Sequence, residues 1–428
     1  MNPSPVVPLA SPPLRASMHC RHCAAPVTRV MADLGTAPPS NAYLSAAALQ
    51  LPERWYPLRV LVCEHCWLVQ TEDFAQAHDL FDADYAYFSS FSSSWLAHAQ
   101  AYVEAMVQRF GLGAHSQVVE IAANDGYLLQ YVAQRGIPCL GIEPTASTAA
   151  AARAKGITVV ERFFGVALAQ ELVAQGRSAD LIAANNVLAH VPDINDFVAG
   201  FATLLQPTGV ATFEFPHLLP LVQQCQFDTL YHEHFSYLSL TAVQRIFAAN
   251  GLAVFDVQEL PTHGGSLRVF AQRSDAGAPR PTEPAVAALL AREAQAGVCS
   301  TNFYSDFQLQ ALRIKRELLS FLIAAQAQGR KVAAYGAAAK GNTLLNFAGV
   351  RPDLLPYVVD KNPAKQGKFL PGSRIPIVDE AHLRADRPDV VLILPWNLKD
   401  EVTTQLAYVR EWGGELAVAV PAATLLAG

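Results

Sequence analysis

The sequence predicts a three-part α/β protein: a small metal-binding unit over residues 1–80, a Rossmann-like unit over 81–275 and a second, smaller Rossmann-like unit over 276–428. Three observations predict it. Two Cys-x-x-Cys pairs, Cys20/Cys23 and Cys63/Cys66, stand near the N-terminus. Short apolar strands alternate with helical segments between Val118 and Phe215, the pattern of a parallel sheet covered by helices on both faces. The alternation pauses in an Ala/Gly/Pro/Arg-rich stretch at 274–284 and resumes at Lys331. A length of 428 residues also matches about three ordinary domains.

In chain order, a loop-rich stretch with Pro38-Pro39-Ser40-Asn41 separates the cysteine pairs, and a segment dense in Tyr, Phe and Ser follows at 81–94. Leu96, Ala99, Val103 and Val107 recur at helical spacing and predict a helix over 94–110. Strands are expected at 118–121, 139–142, 158–160, 179–183 and 209–215, with helices at 128–135 and 147–155. Segments 252–260 and 266–271 are expected to finish this sheet as an antiparallel pair. A long amphipathic helix is expected at 303–328, with Leu312, Leu318, Leu319 and Leu322 on or near one face. Beyond it come a strand at 331–335, the turn Gly336-Ala337-Ala338-Ala339-Lys340-Gly341-Asn342, and strands at 357–360 and 390–394.

Composition narrows the class. Apolar residues make up 51 % and charged residues 16 %, and mean hydropathy is +0.19. No apolar run is long enough to span a bilayer, and residues 1–14 are Pro-rich without a basic start, so a soluble, cytoplasmic globular protein with no membrane partner is expected. Net charge is −6 and no basic run occurs, which argues against a nucleic-acid partner. The expected assembly is a monomer or small homo-oligomer.

The cysteines Cys20, Cys23, Cys63 and Cys66 carry the strongest motif. Two such knuckles supply four thiolates to one tetrahedral Zn2+, a closed and therefore structural site. Cys139, Cys225 and Cys299 read as isolated thiols.

The first βα turn of the middle unit, Glu120-Ile121-Ala122-Ala123-Asn124-Asp125-Gly126, keeps one glycine of the three that admit a pyrophosphate. A ligand without a pyrophosphate, such as S-adenosylmethionine, tolerates the alanines better. Glu143 ends the second strand, where a carboxylate accepts ribose hydroxyls. Asn185 and Asn186 end the fourth strand and offer amides to the same ligand. An unliganded α/β turn is the alternative, and Glu143 at the end of the second strand weighs against it.

Tyr231-His232-Glu233-His234 gathers four polar side chains that are costly to bury without purpose. A histidine beside a carboxylate suits general-base chemistry; a solvated polar turn is the alternative. In Thr262-His263-Gly264-Gly265-Ser266 the glycines suit either a ligand approach or a hairpin turn. In the C-terminal unit Lys340 can neutralise a phosphate at its Gly-rich turn, and Asn397 in Pro395-Trp396-Asn397 ends a strand of the same sheet.

Together these motifs resemble the sugar-nucleotide C-methyltransferases of branched deoxysugar biosynthesis, in matching order across nearly the whole chain. The resemblance rests on the four cysteines, Tyr85-Ala86-Tyr87-Phe88-Ser89-Ser90, the 120–126 turn, Asn185-Asn186 and Tyr231-His232-Glu233-His234. It continues through His263-Gly264-Gly265-Ser266-Leu267-Arg268, the 335–342 turn, Asp360-Lys361-Asn362-Pro363, Pro371-Gly372 and Pro395-Trp396-Asn397. Ala122-Ala123 departs from the Gly-Ser common in that family.

The resemblance implies a class I methyltransferase middle domain holding S-adenosylmethionine through Glu120, Asn124, Asp125, Gly126, Glu143, Asn185 and Asn186. It implies a nucleoside-diphosphate 4-keto-6-deoxy sugar methylated at C3 and bound by Tyr87, His263, Lys340, Asn342 and Asn397. His234 maps to the base, Glu233 to the group that orients it, and Tyr231 and Tyr85 to hydrogen-bond donors toward the ketone. Tyr87 competes with Tyr85 for that role. An O- or N-methyltransferase and a non-catalytic sugar-nucleotide-binding protein are the alternatives; an oxidoreductase is disfavoured by the missing glycines.

Overall fold

Three sheets organise the chain in the computed structural model, which describes residues 18–74 and 88–426. Strands β1 (Arg29–Ala37), β2 (Tyr56–Val62) and β3 (Val69–Thr71) form an antiparallel sheet, with one cysteine knuckle before β1 and the other in the turn between β2 and β3. Its fourth strand comes from far along the chain: β9 (Ser236–Tyr237) pairs antiparallel with β3, Gln70 opposite Ser236. The segment after Tyr231-His232-Glu233-His234 is therefore part of the N-terminal sheet.

The middle sheet contains β4 (Val118–Ile121), β5 (Cys139–Ile142), β6 (Val159–Val160), β7 (Ala179–Asn185), β8 (Leu205–Pro216), β10 (Leu252–Leu260) and β11 (Ser266–Arg273). Their order is β10-β11-β8-β7-β4-β5-β6, and only β11 runs antiparallel to both neighbours. The parallel strands read as apolar runs because helices cover both faces. Helix Ser93–Phe110 buries Ala99, Tyr102, Val103 and Met106, and Ile194–Leu204 buries Ile194, Phe197, Phe201 and Leu204. The chain order reverses between β4 and β7, and such a switch point opens a crevice beyond the strands' carboxyl ends.

The third sheet is ordered β14-β13-β12-β15-β16-β17, from β12 (Val332–Tyr335), β13 (Val358–Val359), β14 (Ile377–Val378), β15 (Val390–Ile393), β16 (Glu415–Val418) and β17 (Thr424–Leu425). The helix expected at 303–328 is broken at Asp306 into Asn302–Ser305 and Phe307–Ala327. The longer piece buries Ala311, Ile314, Leu318, Leu322 and Ala325, three or four residues apart. They share one core with Met31, Leu58 and Val60, so the first and third sheets pack around common apolar contacts. Among the described residues no helix is long and apolar enough to cross a membrane.

Candidate active site

The cysteine knuckles are two copies of one turn. Cys20 N–H donates to Ala25 O and Ala24 N–H returns to Cys20 O; Cys63 N–H donates to Leu68 O and Trp67 N–H returns to Cys63 O. Ala24 and Trp67 close these turns at φ of 58° and 64°. The Sγ atoms of Cys20 and Cys66 lie 3.5 Å apart, those of Cys23 and Cys63 3.6 Å, and all four fall within 4.8 Å of one another. A tetrahedral zinc with bonds of about 2.3 Å needs its sulfurs roughly 3.8 Å apart. The four thiols fit that ion and leave no position for substrate.

A cleft of about 380 Å³ opens at the carboxyl ends of the middle sheet. Asn41 reaches it from the N-terminal unit, and Ala338, Ala339, Lys340 and Lys365 wall it from the C-terminal unit. At one end Glu143, buried at the tip of β5, accepts from Asn124 N–H and Thr145 N–H, each at 2.9 Å. Each carboxylate oxygen then keeps a further lone pair for a ligand hydroxyl. Asn185 is 7 % exposed, and both its side-chain polar atoms lack a protein partner, as does Oδ1 of Asn186. Buried orphan amides around a cavity are what a polar ligand would satisfy. These residues fit the ribose and amino-acid groups of S-adenosylmethionine.

Three residues of the 120–126 turn expected at the ligand do not line the cleft. Glu120 is buried beneath it near Tyr127, and burial raises its carboxyl well above the usual range. Asp125 accepts from Ser90 N–H and lies 3.4 Å from Lys155 Nζ, so it anchors the chain leading into helix Ser93–Phe110. Gly126 has φ of 75°, and a Cβ there would meet Ala152 and Ile157 at 3.3 Å; it serves helix–strand packing. Only Asn124 of the four residues expected there lines the cavity.

The same cleft is lined by Tyr231, His234, His190, His263 and Lys340. Nδ1 of His234 lies 3.0 Å from Thr229 O and Nε2 2.8 Å from the Tyr231 hydroxyl. A carbonyl only accepts, so Nδ1 carries the hydrogen and Nε2 presents its lone pair. Burial holds His234 well below the ordinary imidazole range, reinforced by His190, whose ring centroid is 4.6 Å away. Burial also brings His190 and His263 down to about 4. Lys340 is lowered by burial, opposed by Asp228, and its Nζ bonds Asn397 Oδ1 at 2.7 Å. Asn397 thus stands behind Lys340 rather than on the cavity wall.

Two further expectations change. Glu233 does not hold His234: its Oε1 accepts from Asn41 N–H and the Asn41 amide, at 3.2 and 3.3 Å, and the Thr229 carbonyl fixes the imidazole instead. Asn342 is buried and donates to Ser40 O at 2.6 Å. Two positions beyond Lys340 on helix Ala339–Ala348, it leaves the opposite side of that helix. Tyr85 and Tyr87 lie outside the described residues. His190, Asn41 and Lys365 escaped the sequence reading, being single polar residues with no paired spacing to mark them.

The fold and this cleft define a class I, S-adenosylmethionine-dependent methyltransferase with an N-terminal zinc-binding domain. Family profiles match along the chain: a zinc binding domain over 20–81, a methyltransferase domain over 95–257 and the C-methyltransferase C-terminal domain over 261–421. The chain is 34 % identical to the C-methyltransferase NovU of Streptomyces niveus over 369 residues, 86 % of this chain and 87 % of that protein. It belongs to this C-methyltransferase family. Among solved structures, the magnesium protoporphyrin IX methyltransferase of Synechocystis PCC 6803 with bound SAM overlaps 42 % of this chain and 79 % of its own, at 18 % identity and a TM-score of 0.33. The PH0226 protein of Pyrococcus horikoshii overlaps 47 % of this chain and all of its own, at 12 % identity and 0.37.

Proposed function

We propose that the enzyme methylates C3 of a nucleoside-diphosphate 4-keto-6-deoxy sugar through an enolate. The observation that carries this is the tautomer of His234: Thr229 holds the hydrogen on Nδ1, so Nε2 is a neutral base in the cleft. A proton beside a ketone is acidic enough for such a base only if the enolate oxygen is stabilised. The Tyr231 hydroxyl, 2.8 Å from Nε2, is the donor we assign to that oxygen.

His234 Nε2 takes the C3 proton, and the electron pair delocalises onto the C4 oxygen as Tyr231 turns its hydrogen bond there. S-adenosylmethionine, when bound, supplies an electrophilic methyl group. Glu143, Asn124, Asn185 and Asn186 hold that ligand at one end of the cleft while the sugar nucleotide lies toward Lys340, and alignment of the two is worth about 7–11 kcal/mol in favourable cases. Lys340, backed by Asn397, faces the diphosphate; His263 lies against the sugar.

Turnover with a panel of 4-keto-6-deoxy sugar nucleotides, followed by NMR of the product, tests the proposal. A new methyl on C3 is expected. A methyl on oxygen or nitrogen would overturn it.

A further inference from the structure

The first zinc knuckle does more than close a metal site. Arg21 lies between Cys20 and Cys23, and its side chain is only 5 % exposed although it carries a full charge. One terminal nitrogen donates to Pro192 O at 3.0 Å. The other donates to Thr71 O at 3.0 Å and to Asp73 Oδ1 at 2.8 Å. The guanidinium also sits 5.3 Å from the centre of the Phe235 ring. None of these partners is a neighbour in sequence, and Pro192, Thr71 and Phe235 each lead toward the cleft.

Pro192 lines the cavity directly. Thr71, the last residue of β3, clasps the segment that bears His234. Its N–H donates to Phe235 O at 3.1 Å, its hydroxyl donates to His234 O, and its own carbonyl accepts from Arg21. Phe235 N–H continues to Ala189 O at 2.8 Å, next to His190. The backbone of His234 is therefore held on the N-terminal sheet, and the sheet is held to the cleft wall by Arg21.

We infer that Arg21 is a positioning residue for the reaction: it fixes the distance between His234 and the Pro192 wall of the cleft. A buried arginine bonded to two main-chain carbonyls is poorly replaced by lysine, which lacks the planar fork. The inference rests on the reading of His234 as the base. It also explains why a domain whose metal cannot touch substrate sits beside the chemistry: the zinc knuckle holds Arg21 at its station.

The test compares Arg21→Lys and Thr71→Val with His234→Asn in the full-length enzyme. Each is measured for zinc content, melting temperature, kcat and KM, and for deuterium exchange at C3 of the keto sugar with S-adenosylhomocysteine bound. Thr71→Val removes the hydroxyl that donates to His234 O at nearly constant volume, so it tests the clasp on His234 with the Arg21 bonds untouched, while Arg21→Lys is read per folded molecule. For both positioning variants, full zinc content and little change in KM are expected, with kcat and exchange per folded molecule falling together by roughly 10- to 100-fold, as misplacement by an ångström does. Parental exchange in both, with exchange abolished in His234→Asn, overturns the role of Arg21 alone. Parental exchange in His234→Asn overturns the underlying assignment of the base.

Discussion

Glu143→Gln is the sharpest probe of cofactor binding. The change keeps size and shape but replaces one oxygen by an NH2 group. In the parent, one oxygen serves Asn124 N–H and the other Thr145 N–H, leaving one lone pair on each for a ribose hydroxyl. Glutamine keeps one acceptor; its NH2 faces a backbone N–H and meets the ribose with a donor. One hydrogen bond to a charged group is lost, worth about 1.5–3 kcal/mol. That corresponds to roughly 10- to 150-fold weaker binding of S-adenosylmethionine. Titration calorimetry with S-adenosylhomocysteine measures it, with zinc content and melting temperature as controls. Unchanged affinity in a folded, zinc-loaded variant would refute the ribose assignment and the placement of the cofactor at β5.

Cys20→Ser should leave a three-thiolate site, visible as zinc substoichiometry by elemental analysis and a reduced folded yield; full zinc retention would count against the four-sulfur site. Lys340→Ala should raise KM for the sugar nucleotide and spare cofactor affinity, so equal losses for both ligands would displace Lys340 from the diphosphate. In the pH profile, His234 must be neutral to act and burial depresses its pKa, so the acid limb of kcat/KM should lie well below pH 6.5. Stability follows the same sign: His190 and His263 titrate near 4 when folded and near 6.5 when unfolded, so the unfolded chain binds more protons between those values. The melting temperature should be level above pH 6.5 and fall from there toward pH 4; a melting temperature that rises on acidification would contradict the burial.

The zinc site was legible because knuckle spacing is local: four residues make each turn, and the chain needs only to bring two turns together. The middle sheet was legible as far as β10 and β11, whose antiparallel pairing follows from two adjacent strand patterns without room for a crossover. What the sequence concealed is which way a side chain leaves its element. Lys340 and Asn342 share a motif but sit on different faces of one helix, so only the lysine reaches the cleft. Glu233 and His234 are adjacent, and adjacency in a turn sends them apart, one toward Asn41 and one toward Thr229. Asp125 and Gly126 belong to the turn that borders the ligand, yet they support its outer side. The pairing of β3 with β9 joins residues more than 160 positions apart, as does the bond from Thr71 to His234 O. No local pattern announces such a contact, and it is the contact that links the zinc domain to the segment bearing His234.

We propose His234 as the group that removes the proton from C3. The direct measurement is the rate at which deuterium from solvent enters C3 of a 4-keto-6-deoxy sugar nucleotide, followed by NMR with S-adenosylhomocysteine in place of the methyl donor. His234→Asn keeps a polar side chain and deletes the basic nitrogen. Both ligands should bind as in the parent, while exchange and kcat fall together by roughly 10²–10⁴-fold. Exchange at the parental rate in His234→Asn would contradict the account and move the base elsewhere in the cleft.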